Sequence, residues 1–182
     1  MNYNELAKEI YLENKEKGFW DEPRSEQYCL MLIITELSEA VEAFRKHQWA
    51  NLSDVKDQLG LFNAETFKLN IKDSVQDEIS DAYIRILDMV GAFDIDIDMF
   101  MPSRLKSKSM VDSSSNFIEN CYWIIADLMS NAEHGIEIAL CDAMISINAF
   151  CDLFDFDFDL IAHVTLKRQY NKTRSRLHGK TC

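Results

Sequence analysis

Two stretches of the chain carry apolar residues at helical spacing with a pair of carboxylates beside them, and no other feature limits the fold as much. In the first stretch the apolar stripe consists of Leu30, Ile33, Ile34, Leu37, Val41 and Phe44. This spacing predicts an amphipathic helix with one face in the core. Glu36 and Glu39 are three residues apart and are therefore neighbours on that helix, among small and apolar side chains. The sequence predicts that both are partly buried against another helix.

The second stretch repeats this arrangement at the same phase. Its stripe consists of Ile79, Tyr83, Ile86 and Val90. Because a helix turns by about 100° per residue, Glu78 and Asp81 make the same angle with this stripe as Glu36 and Glu39 make with theirs. One such pair is common in any helix, but two pairs in matched phase converge if both stripes pack into one core. Four carboxylates suit a hard divalent cation, so we expect a site for Mg²⁺ or, alternatively, Mn²⁺.

Composition favours an all-α fold and excludes several classes of protein. Two prolines and five glycines in 182 residues leave few breaks, and the length suits one domain or two small halves. A net charge of -12 argues against a general nucleic-acid or membrane-surface binder. No apolar run approaches the roughly 18 residues of a membrane span, and the polar start is unlike a signal peptide. The five scattered cysteines form no CxxC pair, which predicts reduced thiols in a cytoplasmic protein.

The apolar pattern and its breaks predict the helices of the first half. We expect a helix over residues 3–17 that is ended by Gly18, and a second helix that begins after Ser25 and runs to about residue 47. The pattern loosens over residues 48–70, where it predicts one short helix between loops. A further helix is expected over residues 71–92.

Two side chains near the acidic pairs each have two interpretations. Trp20 lies in the loop before the first acidic helix, where it either stacks on a nucleobase or covers the core. Arg85 lies on the face of Glu78 and Asp81, where it either holds a phosphate or neutralises Asp81 four residues earlier, the more usual role.

Part of the chain is repeated. Residues 78–100 align without gaps on residues 139–161, and eight of the 23 positions are identical, including Asp81 and Asp142. This similarity indicates an internal duplication, with a chance likeness of two acidic helices as the alternative. Ala139 replaces Glu78, and the preceding helix at 116–131 has no ExxE motif. We therefore expect the second half to keep the packing surface and to lose the metal.

The repeat ends in an Asp-x-Asp-x-Asp run in both copies, at residues 94–98 and 155–159. These runs lack the central glycine and the closing glutamate of an EF-hand calcium loop. We expect them to cap the helix that follows.

These features divide the chain into a first half at 1–101 that carries both acidic pairs, a Ser-rich linker at 102–116 and a second half at 117–182, packed together as one compact unit. The last eighteen residues contain six Lys and Arg and no acid. Lys167, Asn171 and Arg174 fall on one helical face there and offer donors for phosphate oxygens. The alternative is a basic helix end that complements the helix dipole or pairs with the acidic surface.

Four segments carry a resemblance to a known family. They are GFWDEPR, TELSEAVEAFRK, DEISDAYIRILD and YNKTRSRLHGK. Together they resemble the MazG-like, all-α nucleoside triphosphate pyrophosphohydrolases, over the first hundred residues and the tail. The chain departs from the family in three respects: the gap between the acidic motifs is long, Thr35 stands where the family has a glutamate, and the segment before the tail is additional.

The resemblance implies Mg²⁺-dependent hydrolysis of a (d)NTP to the (d)NMP and pyrophosphate, with a nucleotide-pool housekeeping role. It implies Mg²⁺ binding by Glu36, Glu39, Glu78 and Asp81, with Glu39 orienting or deprotonating the attacking water. The substrate would contact Trp20 through its base and Lys167, Asn171 and Arg174 through its phosphates. The resemblance also implies a homodimer, for which the second half offers an alternative as an internal partner in a pseudo-dimer.

Two other classes of protein fit the helical pattern. A ferritin-like di-metal oxidase also draws carboxylates from bundle helices, but it requires Glu-x-x-His motifs, and neither acidic pair has one. A catalytically silent module that binds a nucleotide or a protein partner is the second alternative, and Thr35 and the degenerate half favour it.

Overall fold

The computed structural model describes residues 2–52, 62–105, 111–154 and 159–179. Over these ranges the protein is an all-α helical bundle, which confirms the predicted fold class. Its helices are α1 (Tyr3–Glu16), α2 (Glu26–Arg45), α3 (Ala64–Asn70), α4 (Val75–Ala92), α5 (Ile97–Arg104), α6 (Phe117–Ala132), α7 (Ile136–Leu153) and α8 (Leu160–Thr173), followed by a 3₁₀ turn at Arg176–Gly179. None of the described helices has the length and apolar character needed to cross a bilayer.

Capping side chains set the helix ends. Ser25 accepts a hydrogen bond from the Tyr28 N–H and starts α2, as predicted. Gly18 follows α1 with φ of 87°, a conformation that favours glycine. Asp96 of the first Asp run caps α5, as expected, and Asp159 of the second run caps α8. The other residues of the second run, 155–158, lie outside the described part of the chain.

One predicted helix start was wrong. Helix α4 begins at Val75 rather than at residue 71, because Ser74 accepts the Asp77 N–H as its N-cap and Asp73 has φ of 62°. Within the predicted linker at 102–116, α5 extends to Arg104 and Asn116 caps α6. Residues 106–110 of that linker lie outside the described part of the chain.

Helix α4 is the centre of the fold. It packs against α1, α2, α7 and α8, and its buried residues lie on all sides of the helix. The contact with α1 is close because Gly91 has no side chain: a Cβ there would lie 2.5 Å from the Ala7 carbonyl oxygen. Helix α2 in contrast buries one face only, the face that turns towards α4.

The helix bounds extend the internal repeat beyond the segment aligned by sequence. Residues 75 and 92, the ends of α4, correspond under the alignment to residues 136 and 153, the ends of α7. Helices α2 and α6 each begin after a capping residue, Ser25 and Asn116, and four of their buried positions coincide when these caps are aligned. The matched buried pairs are Cys29 with Asn120, Leu30 with Cys121, Ile33 with Ile124 and Leu37 with Leu128.

The contacts between helices also repeat in the two halves. Helix α2 lies on α4 as α6 lies on α7, while α4 contacts α8 and α7 contacts α5. These contacts therefore correspond between the two halves, whereas α1, which packs on α4, has no counterpart among the described helices of the second half. The second half packs against the first within one chain, and the pairs α2–α6 and α4–α7 join the halves.

Candidate functional site

Three carboxylates meet where α2 packs against α4. Glu36 on α2 and Glu78 and Asp81 on α4 each place one oxygen within 4.8 Å of the others. Glu36 and Glu78 are buried, and Asp81 is partly exposed. The predicted convergence of carboxylates from two matched helices is thus seen for three of the four residues.

Two cations are ion-paired with this cluster. The Nε atom of Arg85 lies 2.9 Å from Oε1 of Glu36. Lys167, on α8, places its Nζ 2.7 Å from Oδ1 of Asp77 and 2.8 Å from Oδ2 of Asp81. Arg85 therefore pairs across helices with Glu36 in place of Asp81, because Lys167 already occupies Asp81.

The charges of this cluster do not cancel. Counting Asp77 with the other three acids, four carboxylates face the two cations Arg85 and Lys167, which leaves two negative charges when all six groups are ionised. Burial, followed by the charges of Asp81 and Asp77, raises the pKa of Glu78 to about 9. Burial and then Asp81 also raise the pKa of Glu36. The electrostatic field of the cluster thus favours a proton or an additional cation.

These features fit a divalent metal ion. A hard cation prefers oxygen ligands, and Glu36, Glu78 and Asp81 offer three close together. Beside them is a cavity of about 30 Å³ that Glu36 and Asp81 line with Arg85, Asn171 and Arg174, roughly the volume of one water molecule. A second acidic group, Asp73 with Asp77 and Glu78, shares two residues with the first, and its Asp73 is exposed.

Glu39, the fourth predicted ligand and the proposed base, lies outside the group of three. Its side chain is exposed on α2, one turn beyond Glu36. The cause is geometric: three residues turn a helix by about 300°, so Glu36 faces α4 and Glu39 lies at the edge of the contact. Its roles as metal ligand and base remain predictions.

The three predicted phosphate-binding residues have different surroundings. Lys167 is buried and engaged with Asp77 and Asp81. Asn171 and Arg174 line the small cavity opposite the carboxylates. The Oδ1 atom of Asn171 is buried and accepts no hydrogen bond from the described residues. Asn171 and Arg174 are thus placed to contact a ligand of this cavity, whereas Lys167 first neutralises the cluster.

Other basic residues of the tail bind the acidic surface, as the alternative interpretation of the tail expected. Arg168 contacts Glu9 and Glu13 at 2.8 and 2.7 Å, and Lys172 contacts Glu13 at 3.0 Å. These ion pairs hold α8 against α1.

A larger cavity lies between α1 and α8. Its volume is about 270 Å³, and it shares Asn14, Ile84 and Asn171 with the small cavity beside the carboxylates. The remaining residues that line it are Ile10, Glu13, Glu16, Lys17, Arg168 and Lys172. It combines apolar and charged walls and adjoins the small cavity through the three shared residues.

Trp20 is part of the core surface. Its Nε1 donates a 3.0 Å hydrogen bond to Oδ1 of buried Asp88, and its ring packs edge-on against Tyr11 and Phe93. The indole thus covers the core, the second of its two interpretations, and base stacking by Trp20 remains a prediction.

Two residues of the site were not singled out from the sequence. Asp77 carries an ion pair with Lys167, and its position beside Glu78 was the only signal. Asn14 lines both cavities. It continues the buried α1 face of Ala7 and Ile10 at helical spacing, and a polar residue on such a face is the signal that was available.

Comparison with family models, curated protein sequences and solved structures finds no match to this chain. The functional interpretation therefore depends on its own residues.

Proposed function

We propose that the protein is a Mg²⁺-dependent nucleoside triphosphate pyrophosphohydrolase of the MazG-like type. The observation that carries the proposal is the convergence of Glu36, Glu78 and Asp81 from two packed helices within 4.8 Å, next to cavities that contain amide and guanidinium donors. The reaction adds water to the α-phosphorus of a (d)NTP and breaks the bond to the bridging oxygen, giving (d)NMP and pyrophosphate.

Glu36, Glu78 and Asp81 hold the cation in this proposal. When bound, Mg²⁺ neutralises the phosphate chain and stabilises the leaving pyrophosphate. Asn171 and Arg174 line the same small cavity as the carboxylates and contact the phosphates. Lys167 holds the Asp81 side chain in place through its 2.8 Å ion pair. Glu39, exposed at the edge of the α2–α4 contact, is the proposed base that takes a proton from the water.

The cavity between α1 and α8 receives the rest of the nucleotide. Its volume of about 270 Å³ approaches the lower end of the range of ligand pockets, roughly 300 to 1,000 Å³. Its apolar walls, Ile10 and Ile84, suit a ring, and its amides, Asn14 and Asn171, suit polar ring edges.

The test is pyrophosphate release from a panel of canonical and modified (d)NTPs, by the full chain with Mg²⁺ or with EDTA. We expect equimolar nucleoside monophosphate and pyrophosphate with Mg²⁺ only. Arg174→Met should raise KM by about tenfold or more, because a charge-assisted contact to phosphate is lost. Arg45→Met, which removes an exposed ion pair on α2, is the control. Nucleotide binding without turnover of any member of the panel would contradict the proposal and favour a silent binding module.

A further inference from the structure

The second half contains counterparts of two of the three clustered carboxylates. The coincidence of the buried positions of α2 and α6 places Asp127 at the position of Glu36. The alignment of α4 with α7 places Asp142 at the position of Asp81 and Ala139 at that of Glu78. The α6–α7 contact therefore retains a carboxylate from each helix.

Protein groups bridge these two carboxylates. The Nδ2 atom of Asn131, on α6, lies 3.1 Å from Oδ1 of Asp127 and 3.0 Å from Oδ2 of Asp142. Arg104, on α5, places its Nε 2.7 Å from Oδ1 of Asp142, and its Nη2 donates to Oδ2. Both oxygens of Asp142 are thus occupied by donors of the chain itself.

The charge also differs between the halves. Two carboxylates face one guanidinium in the second half, whereas four face two cations in the first. A single negative charge remains in the second half and two in the first. The position of Asn131 is occupied in α2 by Ala40, which has no donor to bridge carboxylates.

We infer that Asn131 and Arg104 take the place of a divalent cation in the second half, so that one chain binds an ion between α2 and α4 and none between α6 and α7. The part that concerns the first half rests on the proposed function. In the second half, the position equivalent to the cation site is then filled by side chains of the chain itself, which link α5, α6 and α7.

The decisive variant combines Arg104→Met with Asn131→Asp. It leaves three carboxylates, those of Asp127 and Asp142 and the one introduced at position 131, with neither the Arg104 guanidinium nor the Asn131 amide between them. We expect this variant to bind one more Mn²⁺ ion per chain than the wild type, counted by electron paramagnetic resonance of free Mn²⁺. Mn²⁺ should also raise its Tm more than that of the wild type, since an ion that binds the native state stabilises it.

Single substitutions keep the inference falsifiable if the double variant does not fold. Arg104→Met should lower the Tm by roughly 4 °C or more, equally in EDTA and in Mn²⁺, without changing the ion count. Arg168→Met, which removes a comparable guanidinium contact with Glu9 and Glu13, is the matched control and also leaves the count unchanged. Wild-type binding of an ion that Asp142→Asn removes would overturn the inference, as would a folded double variant with no additional ion.

These outcomes are separate from a failure of the proposed function. The proposed function fails if substitution of Glu78 leaves cation binding intact, whatever the second half does. The extra ion of the double variant is counted as a difference from the wild type and does not depend on catalysis.

Discussion

Glu78→Gln is expected to lower kcat/KM for pyrophosphate release by about a thousandfold or more, because it removes a ligand of the cation that stabilises the leaving group. The same change should stabilise the ion-free protein. Burial, followed by the charges of Asp81 and Asp77, raises the pKa of Glu78 to about 9. An amide keeps the shape of this side chain and removes the free-energy cost of holding a carboxyl un-ionised at neutral pH. Loss of activity with gain of stability separates a role in function from a defect in folding.

The free energy of unfolding of the ion-free protein should depend on pH through Glu78. The pKa of Glu78 rises on folding from its ordinary value of 4.5 to about 9, so the unfolded chain ionises first as pH increases. The ion-free wild type should therefore lose stability between about pH 4.5 and pH 9, whereas Glu78→Gln lacks this loss. Urea unfolding in EDTA should show the variant more stable by up to about 5 kcal/mol at pH 8 and equal to the wild type at pH 4. A less stable variant at pH 8 would contradict this.

Glu39→Gln separates turnover from cation binding. Glu39 is exposed on α2 and lies outside the group of three carboxylates. If it orients the water, its variant loses turnover but retains cation binding, in contrast to Glu78→Gln. A Glu39→Gln variant with wild-type activity would remove the base assignment and leave the cation site untouched.

Lys167→Met is expected to destabilise the protein by about 3 to 5 kcal/mol at pH 8, because it leaves buried carboxylates without their partner. Lys167 is buried and contacts both Asp77 and Asp81. Burial raises the pKa of Asp77 to about 6 even with Lys167 present. The loss should therefore shrink at pH 5, where protonated Asp77 needs no cation. Urea unfolding measures both values.

Lys172→Met provides the comparison for this stability measurement. Lys172 belongs to the same helix and pairs with Glu13, but it is largely exposed, so its removal should change stability by no more than about 1 kcal/mol. A Lys167→Met loss as small as that of Lys172→Met would contradict the assignment of Lys167 as the counter-ion of the buried cluster.

Much of the fold follows from helical periodicity, and the site follows in part. The matched phase of the two acidic stretches was sufficient to predict that Glu36, Glu78 and Asp81 converge. It was insufficient for Glu39, because both acids of a pair were expected to face the neighbouring helix. Helix α4 is buried on all sides and presents both its acids to the cluster, whereas α2 is buried on one face and presents only Glu36.

The partners of these acids depend on contacts that no local pattern contains. Lys167 reaches Asp77 and Asp81 because α8 packs on α4, and Arg85 then pairs with Glu36. The correspondence of α2 with α6 was also hidden from the sequence, since few of the aligned residues are identical. The shared capping positions and four shared buried positions of the folded helices establish it.

The most direct test of the cation site is a titration with Mn²⁺ at pH 8, followed by the paramagnetic resonance of the free ion. Glu78→Gln is compared with the wild type and with Glu119→Gln, which retains the capping box of α6. We predict one ion per chain in the wild type and in Glu119→Gln, and binding at least about tenfold weaker in Glu78→Gln. Equal affinity in all three proteins, or no binding to the wild type, would contradict a metal site formed by Glu36, Glu78 and Asp81.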